Sequence, residues 1–185
     1  MEMIVAITGA TGAIYGVRLL QALRRKGVGT SLIVTKWAEA TLQHEMGLAP
    51  EDVGAMADHV YDNQDLAAPI SSGSHPIGGM VIAPCSMKTL AGIAHAYNDS
   101  LVIRAADVVL KERKKLLLLA RETPLNLAHI ENMRAVTLMG GIVMPPVPAF
   151  YTKPEGVEEI VAQTVGRALD LMGIGGDGIL RRWGE

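Results

Sequence analysis

The chain has 185 residues, with 17 basic and 19 acidic side chains and a formal net charge of −2; such a balance leaves no electrostatic footprint for nucleic acid. Apolar residues make up 49% and charged ones 19%, which excludes a disordered chain, and the single cysteine, Cys85, excludes an internal disulfide framework. The longest aliphatic run, Leu116–Ala120, is too short to cross a bilayer.

One domain is expected at this length. The apolar excess predicts surface buried between copies, hence a homo-oligomer. Strand-like runs alternate with helical periodicity, which predicts a single-domain doubly wound α/β fold, Rossmann- or flavodoxin-like, its parallel sheet covered by helices on both faces. The first strand is read at Met3–Ile7. Thr8-Gly9-Ala10-Thr11-Gly12 then turns the chain into a helix at Ala13–Arg25, where Leu19, Leu20 and Leu23 share a face and Arg18, Arg24, Arg25 and Lys26 lie outside it. Gly27 and Gly29 stop that helix before a strand at Thr30–Val34. A helix at Trp37–Met46, a short helix opened by Ala49-Pro50-Glu51-Asp52 and a polar loop at Asp62–His75 follow. The strand Met80–Ala83 is broken by Pro84. Helices at Ser86–Ala94 and Ser100–Arg113, a strand at Lys115–Ala120, a helix at Leu125–Met139, a strand at Gly141–Met144 and a helix at Gly156–Met172 complete the pattern. The tail, residues 173–185, is glycine-rich and then basic, ending near Trp183; it reads as a flexible terminus or as an arm for a neighbouring copy.

Two turns carry chemistry. The first, at Thr8–Gly12, places backbone N–H groups and a helix dipole at the carboxyl edge of the sheet, where a phosphate is favoured. Thr11 reads equally as the N-cap of the helix or as a phosphate ligand. Thr35 ends the second strand at the same edge. The second turn, Ala83–Leu90, repeats the logic: Ser86 caps the next helix, and Ser86 and Thr89 add hydroxyls. Together they frame a crevice between two helix N-termini, suited to a flavin mononucleotide. A dinucleotide is disfavoured, because Val34-Thr35-Lys36 offers no acidic residue for a ribose diol. No Lys lies four positions after any of the four tyrosines, and there is no nucleotide-hydrolysing glycine-lysine loop. Cys85 reads as buried filler rather than nucleophile. The five histidines show no ligand spacing, and no acidic or Cys/His metal motif is present.

With these residues in view, the chain resembles the UbiX/Pad1 family of flavin prenyltransferases. The resemblance rests on Thr8–Gln21 (TGATGAIYGVRLLQ), Pro84–Ile93 (PCSMKTLAGI), Arg104–Arg113 (RAADVVLKER), Arg121–Leu125 (RETPL) and Met144–Tyr151 (MPPVPAFY). It implies transfer of the dimethylallyl group of dimethylallyl phosphate to N5 and C6 of reduced FMN, making prenylated FMN for a UbiD-type decarboxylase. It also implies FMN contacts from Gly9, Ala10, Thr11, Thr35, Ser86, Met87, Lys88, Thr89 and Arg121. Dimethylallyl phosphate would meet Arg104, Lys111, Tyr151 and Arg167, with Glu122, Lys111 and Tyr151 catalytic, no metal, and a dodecamer as the assembly. Cations and a phenol are the residue types that such chemistry needs, because negative charge grows on the departing phosphate. A carboxylate such as Glu122 can exchange the proton. Plainer readings remain for several of them: Lys111 in a solvated helix end, Arg167 paired with Asp170, Arg121-Glu122 as a surface pair. Competing activities are an FMN-dependent cysteine- or aromatic-acid decarboxylase and a non-catalytic FMN carrier. A cytoplasmic location is expected from the lone cysteine and the absence of a basic leader before Met3.

Overall fold

The structure, a computed structural model, describes residues 1–176 and 178–184. Its first strand, β1 (Glu2–Ile7), is buried from Met3 to Ile7 because both faces of the sheet are covered. Met3, Val5 and Ile7 face one core, shared with α1 (Ala13–Arg25), α2 (Lys36–Met46), α3 (Pro50–Gly54) and α7 (Val157–Met172). Ile4 and Ala6 face the other, shared with α4 (Met87–Ala94), α5 (Leu101–Lys111) and, through Val136, α6 (Leu127–Leu138). The remaining strands are β2 (Gly29–Val34), β3 (His59–Asp62), β4 (Gly79–Cys85), β5 (Lys115–Ala120) and β6 (Ile142–Val143). All pairings are parallel, in the order β3-β2-β1-β4-β5-β6. The doubly wound expectation holds.

Parallel crossovers return through helices, so every strand ends on one edge of the sheet. The strand order reverses between β1 and β4, and there the two chemistry-bearing turns lie side by side. Thr8 ties them together. Its buried hydroxyl donates to Pro84 O at 2.8 Å and accepts from Ser86 N–H at 2.8 Å. Thr8→Val keeps the shape but leaves Ser86 N–H without its acceptor and Pro84 O with only the Thr8 N–H at 3.3 Å, so a loss of about 1–3 kcal/mol is expected in thermal unfolding.

Two local readings are corrected. A strand was missed before the Asp62–His75 loop: His59–Asp62 pairs with β2 as a mostly exposed edge strand. Exposure removes the apolar alternation by which a strand is recognised. Pro84 does not break β4, which runs on to Cys85 with a register shift against β5 between Ile82 and Cys85. The described residues of the tail return to their own chain, where Arg181 and Arg182 meet Gln163 and Asp170 of α7. Leu180 lies against α7, where a Cβ added at Gly166 would come within 2.8 Å of the Leu180 nitrogen.

Candidate active-site cleft

At the carboxyl edge a cleft of about 650 Å³ is lined by Gly9, Thr35, Trp37, Ser86, Met87, Lys88, Thr89, Glu122 and the start of α5. α4 starts there because Ser86 caps it: its Oγ accepts from Thr89 N–H at 3.4 Å and lies 3.2 Å from Thr89 Oγ1. Thr35 precedes α2, and its hydroxyl makes no capping bond to that helix. The main chain of the first turn packs tightly on α2; a Cβ at Gly9 would stand 2.4 Å from Trp37 Cβ. Only glycine fits there. On the far wall, Asn63 accepts from Leu101 N–H through its carbonyl (2.8 Å) and from Val102 N–H through Oδ1 (3.1 Å), closing the N-terminus of α5.

The opening turn differs from expectation in one respect. Thr11 is not the N-cap of α1; Gly12 is, at φ 100°. The first N–H groups of α1 do not point out unpaired. Gly12 and Ala13 donate to the Glu45 carboxylate at 3.0–3.2 Å, so an acidic side chain from α2 already neutralises that helix end. Ala10 N–H is turned back onto Thr8 O at 2.8 Å.

Arg121 and Glu122 follow β5 at the same edge. Arg121 N–H donates to Cys85 O at 3.1 Å, and Glu122 Oε1 accepts from Thr123 N–H at 3.0 Å. Arg104, one turn into α5, donates to Ser71 O at 3.2 Å and pairs with Asp107 at 3.0 Å. Cys85 is fully buried, and desolvation pushes its thiol far above the ordinary range.

Tyr151 and Arg167 belong to a second, smaller pocket of about 210 Å³ between the proline segment after β6 and α7. Arg167 pairs with Asp170 at 2.6 Å, and Arg182 of the tail shares the same carboxylate at 2.8 Å. Those arginines, Arg182 first, hold the Asp170 carboxyl below its usual value. A carboxyl that titrates lower in the folded chain stabilises the fold at neutral pH, and that contribution disappears as the pH falls below about 4. Tryptophan emission is therefore expected to report a tail transition in that range, absent in Asp170→Asn.

Lys111 is elsewhere. α5 begins at the cleft and runs back to the opposite edge of the sheet, where Lys111 pairs with Glu112. Among the described residues no three His, Cys, Asp or Glu side chains converge as a metal site.

A family model described as Flavoprotein matches residues 1–169. A probable UbiX-like flavin prenyltransferase of Bacillus subtilis is 55% identical over 174 residues, covering 94% of this chain and 85% of that protein. The chain belongs to the UbiX-like flavin prenyltransferase family. Among solved structures, AnUbiX (PadA1) in complex with FMN and dimethylallyl pyrophosphate is 50% identical, covers 100% of this chain and 97% of its own, and superposes with a TM-score of 0.97. A dodecameric FMN-dependent UbiX-like decarboxylase of Escherichia coli O157:H7 is 52% identical over the full length of both chains, also with a TM-score of 0.97. For this family member, sequence reasoning placed the cleft and missed Glu45, Asn63 and Gln163. All three are polar side chains acting on backbone groups distant in sequence, which leaves no local signal.

Proposed function

We propose that this protein is a flavin prenyltransferase, joining the dimethylallyl group of dimethylallyl phosphate to N5 and C6 of reduced FMN. The observation that carries the reading is the cleft at the strand reversal. It combines a mononucleotide-sized volume with the Thr35, Ser86 and Thr89 side chains, the Lys36 and Lys88 amines and a glycine-smooth first turn. Gly9, Ala10, Thr11, Thr35, Ser86, Met87, Lys88, Thr89 and Arg121 would hold FMN. When bound, the reduced flavin supplies the nucleophile. Hydroxyls and main-chain donors hold its phosphate, and Trp37 borders the cleft as an exposed π surface.

Arg104, Lys111, Tyr151 and Arg167 would bind the phosphate of the second substrate. As the C–O bond breaks, its electron pair leaves with phosphate, and guanidinium and ammonium groups stabilise that charge. Glu122 exchanges the proton at the leaving oxygen. Lys111, at the opposite sheet edge of its own chain, serves the site of a neighbouring copy, which makes the assembly, a dodecamer, part of the active site. Among the described residues no helix is long and apolar enough to cross a membrane; the reading adds a cytoplasmic location and a UbiD-type decarboxylase as recipient of the product.

Anaerobic incubation with reduced FMN and dimethylallyl phosphate, followed by mass spectrometry of the extracted flavin, tests the proposal. A flavin heavier by one C5 unit is the expected result. Unmodified flavin from a loaded protein would leave a carrier or a decarboxylase. Because the proposed counter-charges are all side-chain cations, the rate is expected to be unchanged by EDTA; strict dependence on Mg²⁺ would contradict that assignment.

A further inference from the structure

Gln163 lies on the buried face of α7, 7% exposed, in a helix whose other inward residues are mostly apolar. A primary amide there needs partners. It finds them in the tail and in Tyr151. Gln163 Oε1 accepts from Arg181 N–H at 2.9 Å, and Nε2 donates to Arg181 O at 2.8 Å. The side chain thus grips one residue of the tail at both backbone groups, as a neighbouring strand would. Nε2 also donates to the Tyr151 hydroxyl at 3.2 Å, and that hydroxyl donates in turn to Arg181 O at 3.3 Å. Trp183 then packs edge-on against the Tyr151 ring, with centroids 5.3 Å apart. Gly166, one turn further along α7, leaves room for Leu180.

We infer that Gln163 is a positioning residue: it docks the C-terminal tail and, through the same amide, fixes the Tyr151 hydroxyl. Tail and phenol are then set together. A hydroxyl accepting from Gln163 keeps its own proton to donate, to Arg181 O in this state and to a phosphate oxygen when one arrives. The second part rests on the reading of Tyr151 as a phosphate ligand.

Hydrogen exchange of the C-terminal peptide in the FMN-loaded protein tests the clamp without reference to turnover. Gln163→Leu is expected to raise exchange at Arg181 by roughly tenfold, the loss of about two hydrogen bonds. Gln163→Glu, which keeps an acceptor for Arg181 N–H and loses both donors, should lie between Leu and the parent. The same variants should raise KM for dimethylallyl phosphate more than they lower kcat, with FMN affinity retained. Unchanged exchange in both variants would overturn the clamp. Raised exchange with an unchanged KM would overturn the coupling to Tyr151. A parent protein that does not prenylate FMN would sink the functional reading instead, while the exchange measurement still decides the clamp.

Discussion

Glu122→Gln is expected to cut formation of prenylated FMN by about 10²- to 10⁴-fold, the range for loss of a general acid–base, while FMN stays bound. Glu122 stands at the mouth of β5 and lines the cleft, and its Oε1 accepts a main-chain N–H from Thr123. Glutamine preserves that acceptor and the volume, so the orientation survives; what disappears is a group able to hand a proton to departing phosphate and take one back. Single-turnover kinetics with preloaded reduced flavin isolate the chemical step. A rate equal to the parent's would remove Glu122 from the mechanism and point to a phosphate oxygen as the sole base.

Lys111→Ala carries the second large effect. α5 has 11 residues, so at 1.5 Å per residue its ends lie about 15 Å apart. With its first turn on the cleft, Lys111 sits beyond reach of its own site. Losing a charge-assisted contact to phosphate costs about 1.5–3 kcal/mol, which corresponds to a rise of roughly 10- to 100-fold in KM for dimethylallyl phosphate. Mixing gives the sharper result. Assemblies reconstituted from Lys111→Ala and Glu122→Gln chains should regain part of the activity, because some sites then combine an intact lysine from one copy with an intact glutamate from another. Mixed assemblies as inactive as their parents would return Lys111 to the solvated helix end, paired with Glu112.

Much of this architecture was legible because it is periodic. The helix at Ala13–Arg25 and the strand at Lys115–Ala120 follow the expected boundaries, since an amphipathic stripe and a buried aliphatic run announce themselves over several residues. β3 was not legible: its residues His59–Asp62 are exposed or half-exposed, and its place is dictated by the register of β2. The cleft was read from local turn chemistry, and Ser86 does cap α4 as its spacing implied. Thr11 shows the limit of that method. Its hydroxyl reads as well as a cap as a phosphate ligand, yet a carboxylate 33 residues away from Gly12 answers the helix. Spacing likewise gave no means of knowing that Lys111 and Glu122 lie at opposite edges of the sheet. That follows from helix direction, which requires the fold.

The buried thiol of Cys85 bears on how the molecule withstands its own surroundings. Alkylating reagents and peroxides attack the thiolate, and they need a path to it. Cys85 is fully enclosed at the end of β4, with its ionisation suppressed by burial. Reduced flavins generate peroxide in air, yet the one sulfhydryl beside the cleft is chemically silent while the fold is intact. A cysteine introduced on the surface would therefore be the sole reactive thiol, ready for single-site labelling without prior removal of the native one.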